Sequence, residues 1–227
     1  MYTKLIARYA LRETLGLFMM GLALFWAAGR LDWWPGWASL ILMAGWSAGI
    51  AAAILRANPA LLAERLGPRK GAKTWDTAIM SILGLLQLAR YIVAGLDQRY
   101  AWTGAFSQGV QITGLVICVL AYALFVWATA SNAFFSQIVR IQPERGHQVV
   151  QGGPYRWVRH PGYFGAILFE LAVALLLASW WVLLIDVVSV ILLIIRTLLE
   201  DQTLQAELPG YPEYSQRVPW RLLPGVW

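Results

Sequence analysis

Arg159, His160 and Tyr163 lie within the five-residue run Arg159-His160-Pro161-Gly162-Tyr163, where a basic loop gives way to a long apolar stretch. Arg and His are costly at the edge of such a stretch unless something there uses them. Both suit an anionic group such as a carboxylate. Pro161 fits the first position of a helix, whose free N–H groups also favour an anion. The pair is therefore either part of a ligand site or an interfacial anchor on lipid phosphate. Beyond the next apolar stretch come Arg196, Glu200 and Asp201. Arg196 and Glu200 are spaced i,i+4 and share a helix face, as ligand-binding residues or as a snorkelling Arg in a helix-end ion pair. Upstream, His147, Val149 and Val150 lead into Gly152-Gly153-Pro154-Tyr155. The glycines permit close ligand approach or form an ordinary turn. Tyr155 and Tyr163 read equally as interface aromatics, and His147 as an exposed loop residue.

The elements that hold these residues follow from composition. Of 227 residues, 59% are hydrophobic and 13% charged, with a mean hydropathy of +0.57. A soluble domain carries about twice that charged fraction. The apolar residues form long blocks, so an all-α polytopic transmembrane bundle of about six spans is expected, ending in a helical hairpin and a cytoplasmic tail. The spans fall at approximately 13–29, 36–55, 76–96, 110–134, 162–179 and 181–199. The first, preceded by Lys4, Arg8 and Arg12, has features of a signal peptide but is read as a retained span. With no linker or repeat, residues 1–227 read as one domain, with N-terminal spans in 1–109 and a motif-bearing catalytic part in 110–227.

The net charge is +6, and the Lys and Arg residues flank apolar blocks. Membrane lipids with anionic headgroups are therefore the expected partner, and nucleic acid is not. Cys118 is the single cysteine, so no disulfide is expected within the chain; no His/Cys cluster has metal-binding spacing and no Gly-x-Gly-x-x-Gly stretch occurs. Six spans gather Lys4, Arg8, Arg12, Arg56, Arg65, Arg69, Lys70, Lys73, Arg140, Arg145, Arg156, Arg159, Arg217 and Arg221 on one side. Arg30 and Arg99 fall on the other, with Trp33, Trp34, Trp37, Trp102, Trp180 and Trp181 as an aromatic belt. Asn58 and Pro59 open a short surface helix that Gly67-Pro68 ends. Arg90, Glu170 and Asp186 lie inside spans, where a lone charge costs about 2.5–3.5 kcal/mol. Arg90 and Asp186 share a depth and should form a structural ion pair.

The ordered set of a Gly-x-Tyr segment, "RHPxY", an apolar hairpin, an acidic pair, Gly210-Tyr211, Tyr214 and Val218-Pro219-Trp220-Arg221-Leu222-Leu223-Pro224 is specific. It resembles the integral-membrane methyltransferases of the isoprenylcysteine carboxyl methyltransferase and phospholipid methyltransferase family, over roughly the last third of the chain. Gly152 stands where that family usually has Ser or Thr, and Asp201 where it usually has Glu. The resemblance implies S-adenosylmethionine as cofactor, bound by His147, Val149, Val150, Gly153, Tyr155, Arg159, His160, Tyr163, Glu200 and Asp201. Arg196 and Glu200 would be catalytic, on the acceptor side. The implied reaction is methyl transfer to a lipophilic small-molecule or lipid acceptor, through a carboxylate, amine or thiol, at the cytoplasmic face of the cell inner membrane.

Both termini would then be cytoplasmic. The acceptor should arrive laterally from the bilayer, with spans five and six as the wall and Gly165 and Ala166 as small bilayer-facing residues. The tail around Trp220 to Pro224 would close over the cofactor. An alternative is an NADPH-dependent membrane sterol or enone-type reductase. Those enzymes have an Arg-His-x-Asn-Tyr motif, and Pro161-Gly162 leaves no Asn in this chain. A non-catalytic lipid-binding scaffold is a third reading, but it leaves the grouping of motif residues unexplained.

Overall fold

A computed structural model describes residues 2–57, Pro59, Leu62, Arg65, Leu66 and 71–227. Among these the long helices are α1 (Tyr2–Ala28), α2 (Trp34–Ala57), α3 (Thr74–Tyr100), α4 (Gln108–Ser131), α5 (Pro161–Leu177) and α6 (Trp180–Glu207), followed by the short α7 (Tyr211–Arg217). α1 to α4 and α6 are long and apolar enough to cross a membrane. α5 has 17 residues, about 26 Å at 1.5 Å per residue, slightly less than the hydrocarbon thickness. The expected six spans thus appear as five long helices and one shorter one. The apolar windows of the five are only 11–28% buried in the protein, so most of their apolar surface is turned outward, as lipid-facing helices require.

Local chemistry sets the helix boundaries. Ser107 and Ser179 start α4 and α6 by accepting the Val110 and Val182 N–H groups. Pro161 opens α5, and Ala178, in the left-handed conformation, ends it one residue before the α6 cap. Several expected boundaries shift, three of them informatively. α1 begins at Tyr2, so Lys4 and Arg8 lie on the helix rather than before it. α4 stops at Ser131, not 134, because Asn132 turns extended and its side chain accepts the Phe134 N–H. α6 runs past 199 to Glu207, so Glu200 and Asp201 sit inside a helix rather than at its end. Most of the proposed surface helix from Asn58 to Pro68 lies outside the described residues; Leu62, Arg65 and Leu66 within it are helical.

The helices assemble as an antiparallel bundle. α4 packs most extensively on α5, α1 packs on α3, and α3 and α5 flank α6. The α4–α5 approach depends on small residues. A Cβ at Gly114 would lie 2.5 Å from the Leu176 nitrogen, and one at Gly165 2.8 Å from the Ala121 oxygen. Gly165 is therefore buried against α4 and does not face the bilayer. At one end of the bundle Lys73 at the start of α3 meets Glu207 at the end of α6, 2.5 Å apart. At the other, Asp97 binds Thr103 and Ser179, and Trp102 packs edge-on to Trp181. The start of α1, the end of α2 and the C-terminal tail share the first end.

Arg90 Nε lies 2.6 Å from Asp186 Oδ1, the pair expected from depth alone, and Arg90 also meets Glu170 of α5. One guanidinium thus ties α3, α5 and α6 together in the apolar interior. Replacing Arg90 by Leu leaves two carboxylates without a counter-charge. Removing one member of a buried ion pair costs about 3–5 kcal/mol, so Arg90→Leu should lower the unfolding temperature in detergent far more than Leu substitution at exposed Arg56.

Candidate functional site

The site is organised around a carboxylate. Asp201, fully buried on α6, receives Arg159 in bidentate form, Nε to Oδ1 at 2.8 Å and Nη2 to Oδ2 at 3.0 Å. His160 Nε2 is 3.1 Å from Oδ1, the Tyr211 hydroxyl donates to Oδ1 at 2.8 Å, and Arg221 Nε donates to Oδ2 at 2.9 Å. Bidentate charged hydrogen bonds of this kind are the strong ones. Arg159 Nη1 also donates to the Val218 and Pro219 carbonyls. The tail is then fixed by backbone bonds, from Arg159 N to Trp220 O and from His160 N to Arg221 O, each 2.9 Å. Burial works against the Arg159 charge, but the hydrogen bonds and charge of Asp201 more than offset it and hold its pKa above the ordinary arginine value. Burial, then Asp201, pushes the Tyr211 hydroxyl far above the usual tyrosine range.

Arg196 does not pair with Glu200 four residues on. Its Nε donates to Asp76 at the start of α3, at 2.7 Å, and its Nη2 to the Gln137 carbonyl at 2.8 Å. Asp76 in turn accepts the Val139 N–H at 2.8 Å. The loop after α4 is thereby suspended over the bundle by two buried charges. The Arg196 guanidinium lies 5.3 Å from the centre of the Tyr163 ring, and the Tyr163 hydroxyl donates to Glu200. Among the described residues, Arg196 Nη1 has no protein hydrogen-bond partner.

The loop preceding α5 is ordered by Gln142, whose side chain donates to Phe134 O and accepts from Arg145. His147 lies against Phe134, ring centres 4.6 Å apart, and its Nδ1 accepts the Gln142 N–H. Burial, then Arg145 and Arg140, lowers its pKa below the ordinary value and favours a neutral ring. Tyr155 is held by Asn132 Nδ2 on its hydroxyl and by the Tyr214 hydroxyl on its carbonyl. Burial raises the Tyr155 and Tyr214 hydroxyls. Gly153 has φ +57° and would place a Cβ 2.3 Å from Ser131 Oγ, so its lack of a side chain serves the turn and its contact with the end of α4.

A cavity of about 470 Å³ opens among these groups. His147, Val149, Val150, Tyr155, Arg159, His160, Tyr163, Arg196 and Glu200 line it, whereas Gly153 and Asp201 do not. Gly153 shapes the loop from behind, and Asp201 positions Arg159 and His160 from the far side. Trp220 to Pro224 also stay off the cavity wall; the tail braces the motif from behind rather than closing over the space. Nor do spans five and six make the wall alone. Tyr9 and Glu13 of α1, Trp46 and Ser47 of α2, and Gln87 of α3 contribute to it, as do Asn132 and Gln142 of the loop. Sequence reasoning did not find these. The one available signal was a polar side chain inside an apolar block, at Glu13 and Gln87; Asp76, which fixes Arg196, lay too near a predicted span end to stand out.

Outward-facing apolar helices define an integral membrane protein, and its half-polar cavity lies at one end of the bundle. Residues 113–206 match the model of the isoprenylcysteine carboxyl methyltransferase (ICMT) family, and this similarity supports membrane methyltransferase chemistry. The matched segment contains Arg159, His160, Tyr163, Arg196, Glu200 and Asp201. The uncharacterized protein YpbQ of Bacillus subtilis (strain 168) is 29% identical over 128 residues, which is 56% of this chain and 70% of that protein. The eukaryotic intramembrane Ras methyltransferase ICMT matches at a TM-score of 0.46 with 17% identity, over 92% of this chain and 84% of that one.

Asp201→Asn removes the charge that holds two arginines and the tail. It should destabilise the protein by about 3–5 kcal/mol. In limited proteolysis the first cleavage should then appear within residues 218–227, which the wild type protects.

Proposed function

We propose that this protein is an S-adenosylmethionine-dependent methyltransferase of the membrane, acting on a lipophilic acceptor through a carboxylate, amine or thiol. One observation carries the reading: a single cavity joins the charged end formed by Arg196, Glu200, His160 and Tyr163 to an apolar end formed by Met43, Trp46, Met80 and Phe169. Its volume falls in the range of small-molecule sites, roughly 300–1,000 Å³. The residues present fit the cofactor. The Arg196 guanidinium has a free Nη1, and with His160 it suits the amino-acid carboxylate. Glu200 suits the ammonium. Val149, Val150, Tyr155 and the ring of Tyr163 suit the adenosine and the carbon chain. Arg159 and Asp201 act by positioning, and Gly153 by shaping the loop.

Bound S-adenosylmethionine supplies a methyl group already activated on a sulfonium. The protein's task is then to orient the acceptor and keep water out, and well-oriented reactions gain effective molarities of about 10⁵–10⁸ M. The apolar end holds the body of the acceptor and places its nucleophile toward Glu200. A carboxylate acceptor gives up no proton. An amine or thiol gives up one, and Glu200 is the carboxylate at the charged end that takes it. The catalytic part lies within 110–227, supported from α1 to α3. The charged end faces the cytoplasm in this reading, with both termini there, because Lys and Arg cluster at that end and the aromatic belt at the other.

S-adenosylhomocysteine should raise the melting temperature of the detergent-solubilised protein. Glu200→Ala, which leaves the Asp201 cluster intact, should weaken its binding by tenfold or more, about 1.4 kcal/mol. Stabilisation by NADPH and none by S-adenosylhomocysteine would refute the assignment. Reporter fusions after Ala28 and Tyr100 should report the exterior, and fusions after Ser131 and Trp227 the cytoplasm; an exterior C-terminus would overturn the orientation.

A further inference from the structure

The inner end of the cavity is not uniformly apolar. Glu170 lies nine residues into α5, about 14 Å from its start, and so near the middle of the bilayer. Gln87 reaches the same cavity from the middle of α3. Met43, Trp46, Met80 and Phe169 line the same cavity. Among the described residues the Gln87 side chain has no hydrogen-bond partner. Glu170 forms an ion pair with Arg90 through Oε2, and among the described residues its Oε1 has no protein hydrogen-bond partner. Arg90 is already matched by Asp186, so one guanidinium faces two carboxylates. The Glu170 and Gln87 side chains are both half-buried, and polar groups without full partners are costly in hydrocarbon. A structural ion pair alone needs neither Gln87 in the cavity nor a second carboxylate.

We infer that Glu170 and Gln87 form a recognition site for a hydrogen-bond-donating group, a hydroxyl or an amine, carried on the lipophilic body of the acceptor away from the atom that is methylated. Seven residues separate Tyr163 from Glu170 along α5, about 10 Å, so that group sits roughly 10 Å from the charged end. A plain hydrocarbon tail leaves Gln87 without a partner and Glu170 with none but Arg90, and is disfavoured, as a site built to hydrogen-bond rejects an analogue that lacks the group. In calling that lipid the acceptor we rely on the methyltransferase reading; the polar site itself rests on Glu170, Gln87 and the cavity.

The test uses the purified full-length protein in detergent with saturating S-adenosylhomocysteine. Hexadecylamine, hexadecan-1-ol and hexadecyl methyl ether are titrated as probes, and binding is read by native mass spectrometry. The amine or the alcohol should bind about tenfold more tightly than the ether, which cannot donate. Glu170→Leu should erase that preference. Because Glu170 also faces Arg90, Gln87→Leu serves as a second variant that disturbs no ion pair, and it should reduce the preference several-fold. Equal binding of the three lipids by the wild type, or an unchanged preference in Gln87→Leu and folded Glu170→Leu, overturns the site. S-adenosylhomocysteine should stabilise wild type and variants alike. If it stabilises none of them while the lipid preference stands, the methyltransferase reading fails and the donor site does not.

Discussion

Asp201 is the constraint on which the site depends. A carboxylate fully buried on α6 collects a bidentate Arg159, the His160 ring, the Tyr211 hydroxyl and Arg221. They come from three stretches of chain: the loop before α5, which supplies Arg159 and His160, the start of α7 and the C-terminal tail. In a bilayer this matters, because lipid tails are as apolar as leucine and give helices little hydrophobic reason to associate. A buried acid with several donors supplies the specific attraction that the solvent does not.

The same device recurs at two other depths. Asp76 draws Arg196 and the Val139 backbone together and so suspends the loop after α4. Arg90 draws Asp186 and Glu170 together in the apolar interior. At each level a charge on one helix is neutralised by a group from another element, so the bundle is pinned in register while its small residues permit close contact. The cavity lies beside all three pins, which is why many charged residues of the bundle interior sit close to the site. In the proposed function, folding and activity therefore draw on one set of charges, and a substitution at Arg159 or Arg196 should affect both.

Much of this was legible in the sequence. Long apolar blocks gave the helices, and equal depth gave the Arg90–Asp186 pair, because an unpaired charge in hydrocarbon has few alternatives. The ordered motifs located the residues of the charged end. Partner identity was not legible. An i,i+4 spacing placed Arg196 beside Glu200, yet Arg196 reaches Asp76, which lies 120 residues earlier, because burial rewards a partner that also fastens a loop. Gly165 read as lipid-facing because it sits in an apolar run, and only the α4–α5 contact shows why a side chain is excluded there. The contributions of α1, α2 and α3 to the cavity wall depend on helix order around the bundle, which periodicity does not encode.

The two adjacent acids on α6 show how local geometry divides labour. Consecutive helix residues point about 100° apart, so Glu200 and Asp201 cannot face the same space. Glu200 faces the cavity and takes the Tyr163 hydroxyl, while Asp201 faces the motif loop and the tail. The shorter side chain stands where donors converge from several directions and the backbone of α6 is itself close to them. One more methylene there would push the carboxylate into Arg159, His160 and Tyr211, which already approach it at 2.8–3.1 Å. Asp201 thus fits a bracing position, which asks for a fixed, short reach. The glutamate beside it keeps the longer side chain, at the position whose partner in the proposed reaction arrives and leaves.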